Sequence, residues 1–385
     1  MGERIRAADW PIREIRSDAL VVGGGVAGTH AAIRFKQMRP DAKVVLVEKG
    51  SVGKSGPSTF AAGVMLLRFP EDPLDDWLRE ITENSEFMNN QEWSKIILER
   101  SYALLQEWGS WGIEFVKYGE GDFVRHPGRA HRVGKLIEFP GLQFMEKVRK
   151  RSEKVGVILS EKIVVSDLLS NQGKVVGAVG LGLLDGAIYV FSAPVVILAT
   201  GGWNIRAPFM GHQVLQGTAE VISYEVGAKI WRMEFGTIYH TTASATDVCG
   251  LSMMVGSGAR LVNATGEEFM DRYEPVLGTR AMLSTLSSAI RKEYVGGRGP
   301  IYLDFSQVNS EIASRYPRVI PLAYEKLKRA GFDLLNRPKI KWINTFNGSI
   351  AGGGGVFVDM RCRSSIPGLY AVGDASGPPY QGPQG

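Results

Sequence analysis

Gly23, Gly25 and Gly28 stand in the spacing G-x-G-x-x-G, and Glu48 follows twenty residues after the last of them. Residues of these types at this spacing suit the binding of a dinucleotide. Gly23 permits a tight turn, Gly25 lets backbone N–H groups approach a pyrophosphate, and Gly28 lets a helix close on a strand. Val26 and Ala27 would open that helix, whose N-terminus carries partial positive charge toward the phosphates. Glu48 accepts hydrogen bonds from ribose hydroxyls and repels a 2′-phosphate, which favours FAD or NAD over NADP. The glycine spacing alone is a weak signal, so its context matters. An apolar run, Asp18–Val22, precedes it; a helical stretch, Thr29–Gln37, follows; and a second apolar run, Lys43–Val47, ends at the acid. That is a strand–turn–helix–strand unit. Lys49 and Gly50 then enter a Ser/Gly loop from Ser51 to Gly63. A flavin needs such a loop to pass its ring and ribityl chain, whereas a nicotinamide enzyme usually returns to regular βαβ structure here. FAD is the expected cofactor, and an NAD-dependent dehydrogenase is the weaker reading.

Other chemistry-bearing residues carry two readings each. Arg125, His126, Arg129, His131 and Arg132 lie in RHPGRAHR, which is either an anion or substrate site or a solvated basic loop. His212 and Trp203 lie near the stretch Ala199-Thr200-Gly201-Gly202 and either face a flavin or pack. His30 reads as surface or packing, and Trp108 and Trp111, at helical i,i+3 spacing, as packing. No metal-ligand spacing, Walker loop or Gly-x-Ser-x-Gly elbow is present, so no metal is expected.

The elements that must position these groups fall into three stretches. After the first βαβ unit, Pro73–Glu114 has helical spacing, and Gln143–Val155 reads as an amphipathic helix whose basic run, Lys147 to Lys154, is a solvated face. Val157–Leu159, Ile163–Leu169, Val175–Leu181 and Ala187–Phe191 are short β-rich runs separated by turn residues, which predicts an antiparallel meander. Pro194–Leu198 is a further buried strand. Residues 204–345 change character to mixed helix and strand, and read as an inserted second domain. The segment 352–374 returns to Gly-rich, strand-like sequence. The fold class is α/β: a Rossmann-like FAD-binding domain with an antiparallel meander and an inserted α+β capping domain. The divisions are residues 1–203, 204–345 and 346–385.

Composition narrows the function classes. The 385 residues are 44% hydrophobic and 22% charged, with 47 Gly and a formal net charge of +5. That mild basic bias suits an anionic cofactor or substrate and carries no block of like charge, so nucleic acid is not expected as a partner. Cys249 and Cys362 cannot supply four thiolates, so an iron–sulfur cluster would have to sit on a partner subunit. They also form no disulfide framework. No apolar run approaches a membrane span and the N-terminus lacks an apolar signal core, so a soluble cytoplasmic protein is expected.

Read in order, DALVVGGGVAG, VVLVEKG, SGPSTFAAG, VVILATGG and SIPGLYAVGDASG resemble the succinate dehydrogenase/fumarate reductase flavoprotein family, which includes L-aspartate oxidase and the adenylylsulfate reductase α subunit. Val226-Gly227-Ala228, Met233-Glu234-Phe235, Gly266–Tyr273 and Gly297–Phe305 are similar to motifs of its capping domain. The resemblance implies that Ser55, Gly56, Ser58, Thr59 and Gly63 line the isoalloxazine, and that the backbone of Ile163 contacts adenine. It implies that Ala199, Thr200 and Gly201 close over the flavin side, and that Gly373-Asp374 is the second FAD motif, whose acid binds the ribityl hydroxyls. Relatives continue past this point with a segment that completes the flavin pocket and a helical domain.

The departures from the family pattern are as informative. Where succinate dehydrogenases attach FAD through a His, Ser58 stands here, so FAD is expected to be non-covalent. His240 resembles the substrate His of the family, offset by one residue. Ser288 occupies the place of the family's proton-transferring Arg, and the second family His has no counterpart; Arg280 or Arg291 is the candidate substitute. His240 and Arg280 are therefore the expected catalytic residues. The function expected is FAD-dependent redox of a small anionic substrate, not specifically fumarate or succinate. The alternative is a flavin electron-transfer subunit serving an iron–sulfur partner subunit.

Overall fold

Five parallel strands form the sheet on which the glycine motif sits. Their order is Leu369–Ala371, Val196–Leu198, Ala19–Val22, Val44–Glu48 and Ile158–Glu161. Val44 to Val47 are all fully buried, as are Ala19, Leu20 and Val21. A parallel sheet covered on both faces needs such continuous apolar runs rather than alternation. Each buried Val or Leu contributes about 1.5–3 kcal/mol relative to exposure. One face packs on the Val26–Met38 helix around Ala32 and Leu46. The other packs on a second sheet through Leu20, Val45, Val165 and Phe191. The computed structural model describes residues 10–60, 63–119, 121–203, 211–235, 239–244, 246–248, 251–346 and 353–377; the side chains at 239, 240, 345 and 346 lie outside that description.

The second sheet is the expected meander, Ile163–Asn171, Lys174–Gly182 and Ile188–Ser192, paired antiparallel. Two details differ from the sequence reading. The run beginning at Val157 does not join the meander; Ile158–Glu161 pairs in parallel with Val44–Glu48. Its short apolar pattern fits either sheet, and only the turn at Lys162, which has a positive φ, separates them. A strand not anticipated, Ile12–Arg16, pairs in parallel with Ile188–Ser192. The helical stretch Pro73–Glu114 is two helices, Leu74–Asn84 and Gln91–Ser110. The chain breaks between them at Glu86 and Phe87, both with positive φ. Asn90 restarts the helix as a cap, its side chain accepting from the Trp93 N–H.

A four-stranded antiparallel sheet, in the order Tyr239–Ala243, Lys339–Phe346, Tyr302–Asp304 and Arg260–Val262, lies within the stretch read as an insertion. It packs with the Leu283–Val295 helix around Phe269, Phe305, Tyr316 and Trp342. The chain then returns to the parallel sheet as Leu369–Ala371, beside Val196–Leu198. A small three-stranded sheet, Val64–Leu66, Lys135–Glu138 and Arg125–Pro127, carries the basic RHPGRAHR loop. Among the described residues no helix is long and apolar enough to cross a membrane.

Candidate functional site

The carboxyl ends of four parallel strands converge on one cavity of about 250 Å³. Val22 to Ala27 follow the Ala19–Val22 strand, Val47 to Lys49 the Val44–Glu48 strand, Ala199 to Gly201 the Val196–Leu198 strand, and Val372 to Asp374 the Leu369–Ala371 strand; all line it. Ala19–Val22 has Val44–Glu48 on one side and Val196–Leu198 on the other, so the connections leave the sheet in opposite directions here. Open α/β sheets bind ligands at such a switch point.

The turn is built from glycine for steric reasons. Gly23 has φ 110°, and a Cβ there would fall 2.3 Å from the Ala199 carbonyl oxygen. A Cβ at Gly28 would fall 1.9 Å from the Gly23 oxygen and 3.1 Å from the Ala199 Cβ. Gly28 thus stands back from the cavity and lets the helix close on the strand ends. Gly25 is the helix N-cap without a side-chain cap, and the first helical turn holds no acid. The positive end of the helix therefore faces the cavity without an acid in its own first turn, an arrangement that suits a diphosphate.

Glu48 is fixed by the same turn. Its Oε2 accepts the Gly24 N–H at 2.6 Å, and its Oε1 accepts the Gly50 N–H at 2.8 Å and the Ser55 hydroxyl at 3.3 Å. A carboxylate so oriented keeps lone pairs for hydroxyl donors in the cavity. Lys49 Nζ donates to the Val214 carbonyl and, at 3.3 Å, to Gln216 Oε1. Ser55, Gly56 and Ser58 line the cavity, as do Ile163, Val164 and Val165. Ser58 Oγ accepts the Val26 N–H at 3.2 Å. Thr59 and Gly63 are off the cavity wall. The Thr59 hydroxyl donates to the Ser55 carbonyl, and Gly63 approaches the Val319 backbone so closely that a Cβ would lie 2.1 Å from its oxygen.

Two polar groups at the cavity lack protein partners among the described residues. The buried Thr200 hydroxyl has none. No donor meets the Asp374 carboxylate, and withdrawal from water pushes its carboxyl above the usual range. A hydroxyl donor-acceptor and an unpaired carboxylate, opposite a helix N-terminus and a ribose-type acid, form the donor set that FAD requires. The residues present fit that cofactor.

The basic loop divides into groups with protein partners and one without. Arg125 pairs with Asp72 and Glu71 and lies over the Phe69 ring, 4.1 Å from its centroid. Glu80 accepts the Arg132, Val133 and Gly134 N–H groups, the last two at 2.8 Å, and meets His131 Nδ1 at 3.0 Å. Burial alone would raise the Glu80 pKa, but these hydrogen bonds outweigh it and hold it at about 2. Arg280 accepts the Ala130 N–H on its carbonyl at 2.6 Å and donates Nη1 to the His131 carbonyl at 3.0 Å. Asn84 Nδ2 donates to the Ala130 carbonyl. Arg129 sits inside this pinned loop with no hydrogen bond or ion pair among the described residues, and desolvation lowers its pKa to about 10. His126 is 3.6 Å from Glu138, which also pairs with Arg315.

Of the two expected catalytic residues, Arg280 braces this loop. His240 lies opposite Thr345 in the antiparallel sheet, and its side chain is outside the described residues. Ser288 is on the Leu283–Val295 helix. His30 packs on the Trp108 and Trp111 rings, with centroids at 6.2 and 5.4 Å. His212 is off the cavity wall and buried, which lowers its pKa to about 4 and keeps it neutral. The buried Trp203 Nε1 has no partner among the described residues. Glu220 is a residue that sequence reasoning missed. It is 6% exposed, and neither of its carboxylate oxygens meets another residue among those described.

With this geometry in place, comparison with known proteins gives a consistent likeness. The FAD binding domain family model matches residues 18–384. An uncharacterized FAD-dependent oxidoreductase of Methanocaldococcus jannaschii is 25% identical over 374 residues, covering 94% of this chain and 67% of that protein. A fumarate reductase (CoM/CoB) of Methanothermobacter marburgensis has one subunit 26% identical over 377 residues, with the same coverages. A solved structure of E. coli quinol fumarate reductase superposes with a TM-score of 0.83 at 21% identity, covering 97% of this chain and 66% of that one. The chain thus spans about two thirds of the length of these relatives.

Proposed function

We propose a function from the premise that this chain belongs to the FAD binding domain family: it is an FAD-dependent oxidoreductase, related to fumarate reductase and succinate dehydrogenase flavoprotein subunits, that acts on a small anionic substrate. The observation that carries the reading is the convergence of four strand ends on the glycine cavity. FAD supplies reversible one- and two-electron chemistry when bound. The chain's own residues do the holding. The turn at Gly23 and Gly25 and the start of the helix at Val26 and Ala27 face the diphosphate, and Gly28 lets that helix close on the strand ends. Glu48 takes ribose hydroxyls, and Asp374 takes those of the ribityl chain. Ser55, Gly56 and Ser58 form the wall toward the ring, with Thr59 and Gly63 holding that loop's shape. Ile163, Lys49 and the segment Ala199–Gly201 close the remaining sides. Ser58 stands where a His would attach the flavin, so we propose non-covalent FAD.

The substrate class rests on Arg129. Arg129 is half-buried, and a guanidinium partly withdrawn from water without a carboxylate among the described residues is costly unless an anion joins it. Arg280 holds the Arg129 loop in place, so the two define an anion site at the contact between the FAD-binding part, residues 1–203 and 346–385, and the cap, residues 204–345. His240 belongs to the cap strand and is proposed as the further substrate contact. The neutral Ser288 at the place of the family's Arg favours a second reading: a flavin that relays electrons to an iron–sulfur partner subunit without a substrate of its own. In either case a cytoplasmic location is proposed.

Anaerobic photoreduction separates the readings. The protein is reduced, then mixed with fumarate and a panel of other small anionic acceptors while flavin absorbance is followed. The proposal expects rapid reoxidation by at least one anion. A flavin that stays bound and reduced with every anion, yet passes electrons to a co-purifying iron–sulfur protein, overturns it in favour of the relay.

A further inference from the structure

Glu220 is the second residue after the cavity-lining Thr218, in the first turn of the Thr218–Glu225 helix. Its side chain folds back toward the start of that helix, with Oε2 3.8 Å from where a Cβ on Gly217 would be. It is close enough to the cavity for the charge of Asp374 to act on it. Burial pushes its carboxyl up to about 7; the hydrogen bond from its own N–H opposes this, and the charge of Asp374 adds a smaller upward push.

Among the described residues no cation relieves this pair. Lys49, on the cavity wall, has its Nζ donating to the Val214 carbonyl and to Gln216. The helix packs against the strands Ile163–Asn171, Gly355–Val356 and Ile230–Trp231. The first carries Asp167, which is exposed, and the other two hold no titratable group. Arg232, beyond the last, lies over the Trp231 and Phe235 rings. Glu225, on the helix itself, is exposed. Two desolvated carboxyl groups without a counter-charge resist ionising together, and more so when cavity water is displaced.

We propose that the cavity takes up FAD together with a proton, which Glu220 holds while Asp374 stays ionised to accept hydroxyl hydrogen bonds. The inference rests on FAD being the occupant. A dinucleotide brings two phosphate charges and displaces cavity water, and both effects disfavour a second negative carboxylate there. The linkage has a definite sign. Glu220 is protonated below about pH 7 and costs nothing to FAD binding there. Above that pH the carboxylate must gain a proton as FAD binds, so affinity falls with rising pH, by up to ~tenfold per pH unit for one linked proton.

The test is calorimetric titration of FAD into flavin-free protein at pH 8, in two buffers of different ionisation enthalpy, with dissociation constants measured from pH 6 to 9. We expect uptake of close to one proton per FAD at pH 8 and an affinity that declines above neutrality. E220Q should bind with little proton uptake and a nearly flat pH profile. E220A, which removes the same carboxyl, should lose the uptake as well and serves if E220Q does not fold. FAD binding in the wild type without buffer-dependent heat, or E220Q retaining the wild-type slope, overturns the inference and leaves the FAD reading standing. Failure of the wild type to bind FAD overturns both.

Discussion

Glu80 and Glu220 are the same side chain at nearly the same depth, 8% and 6% exposed, held in opposite chemical states. Glu80 collects three consecutive backbone N–H groups and His131, and its pKa falls to about 2. Glu220 collects none from the residues described around it, and burial lifts it to about 7. The basic loop repeats the contrast with cations: Arg125 has two carboxylates and an aromatic face, and Arg129 has no partner among the described residues. Burial therefore does not by itself mark a functional group; burial without a partner does. Satisfied groups lock the loop, while unsatisfied ones stand where a cofactor or substrate would supply what is missing.

The contrast can be broken from the satisfied side, where the largest effect is expected. E80A leaves the Arg132, Val133 and Gly134 amides without their acceptor and should cost ~4 kcal/mol in urea unfolding at pH 7. A loss under ~1 kcal/mol would mean that the loop finds other partners. The wild-type Glu80 contribution is present above about pH 4.5 and is lost as pH falls toward 2, since its folded pKa is depressed.

The unsatisfied side should respond with the opposite sign. The folded pKa of Glu220 is raised, so its carboxyl favours the fold at low pH, and that advantage is lost as pH rises through about 7. E220Q should stabilise the flavin-free protein at pH 9 by up to ~3 kcal/mol and have little effect at pH 5. Equal stability of wild type and variant at both pH values would contradict the assignment. G28A tests the turn: a Cβ 1.9 Å from the Gly23 oxygen displaces the helix end. FAD affinity should fall at least ~100-fold by fluorescence titration, about 2.7 kcal/mol. R129Q sharpens the cation comparison. Binding of malonate, read as a perturbation of the flavin absorption band, should weaken ~tenfold, with flavin content unchanged. The smallest effect belongs to the solvated face of the Gly141–Lys154 helix. Lys150 pairs with Glu146 there at 2.6 Å, with side chains 63% and 54% exposed, and K150A should change stability by no more than ~0.5 kcal/mol.

The parts legible in the sequence are those written in short-range pattern. The glycine spacing, the apolar runs around it and the acid at the next strand end suffice to place one wall of the cavity, because sterics and helix polarity tie those residue types to that turn. The meander is legible from its alternation and its turn residues. The rest is set by distance or by context. Glu80 meets a loop some fifty residues away, and nothing local distinguishes it from a surface Glu on an amphipathic helix. Glu220 lies in a short helix beside Ala219 and Ile222, and only the fold shows that its face turns inward. The helix break at Glu86 and Phe87 has no Gly or Pro to announce it. Ile158–Glu161 left the meander because a short apolar run does not encode which sheet it will join.

The most direct test of the central claim, that four strand ends form a site for non-covalent FAD, is flavin release. Purified protein is denatured by heat, the precipitate removed, and the supernatant chromatographed against FAD, FMN and NAD standards. The account predicts FAD in the supernatant, approaching one molecule per chain, with a colourless pellet. A pellet that keeps the flavin would contradict non-covalent binding, and a colourless native protein that yields only NAD and cannot be reconstituted with FAD would contradict the assignment of the cavity itself.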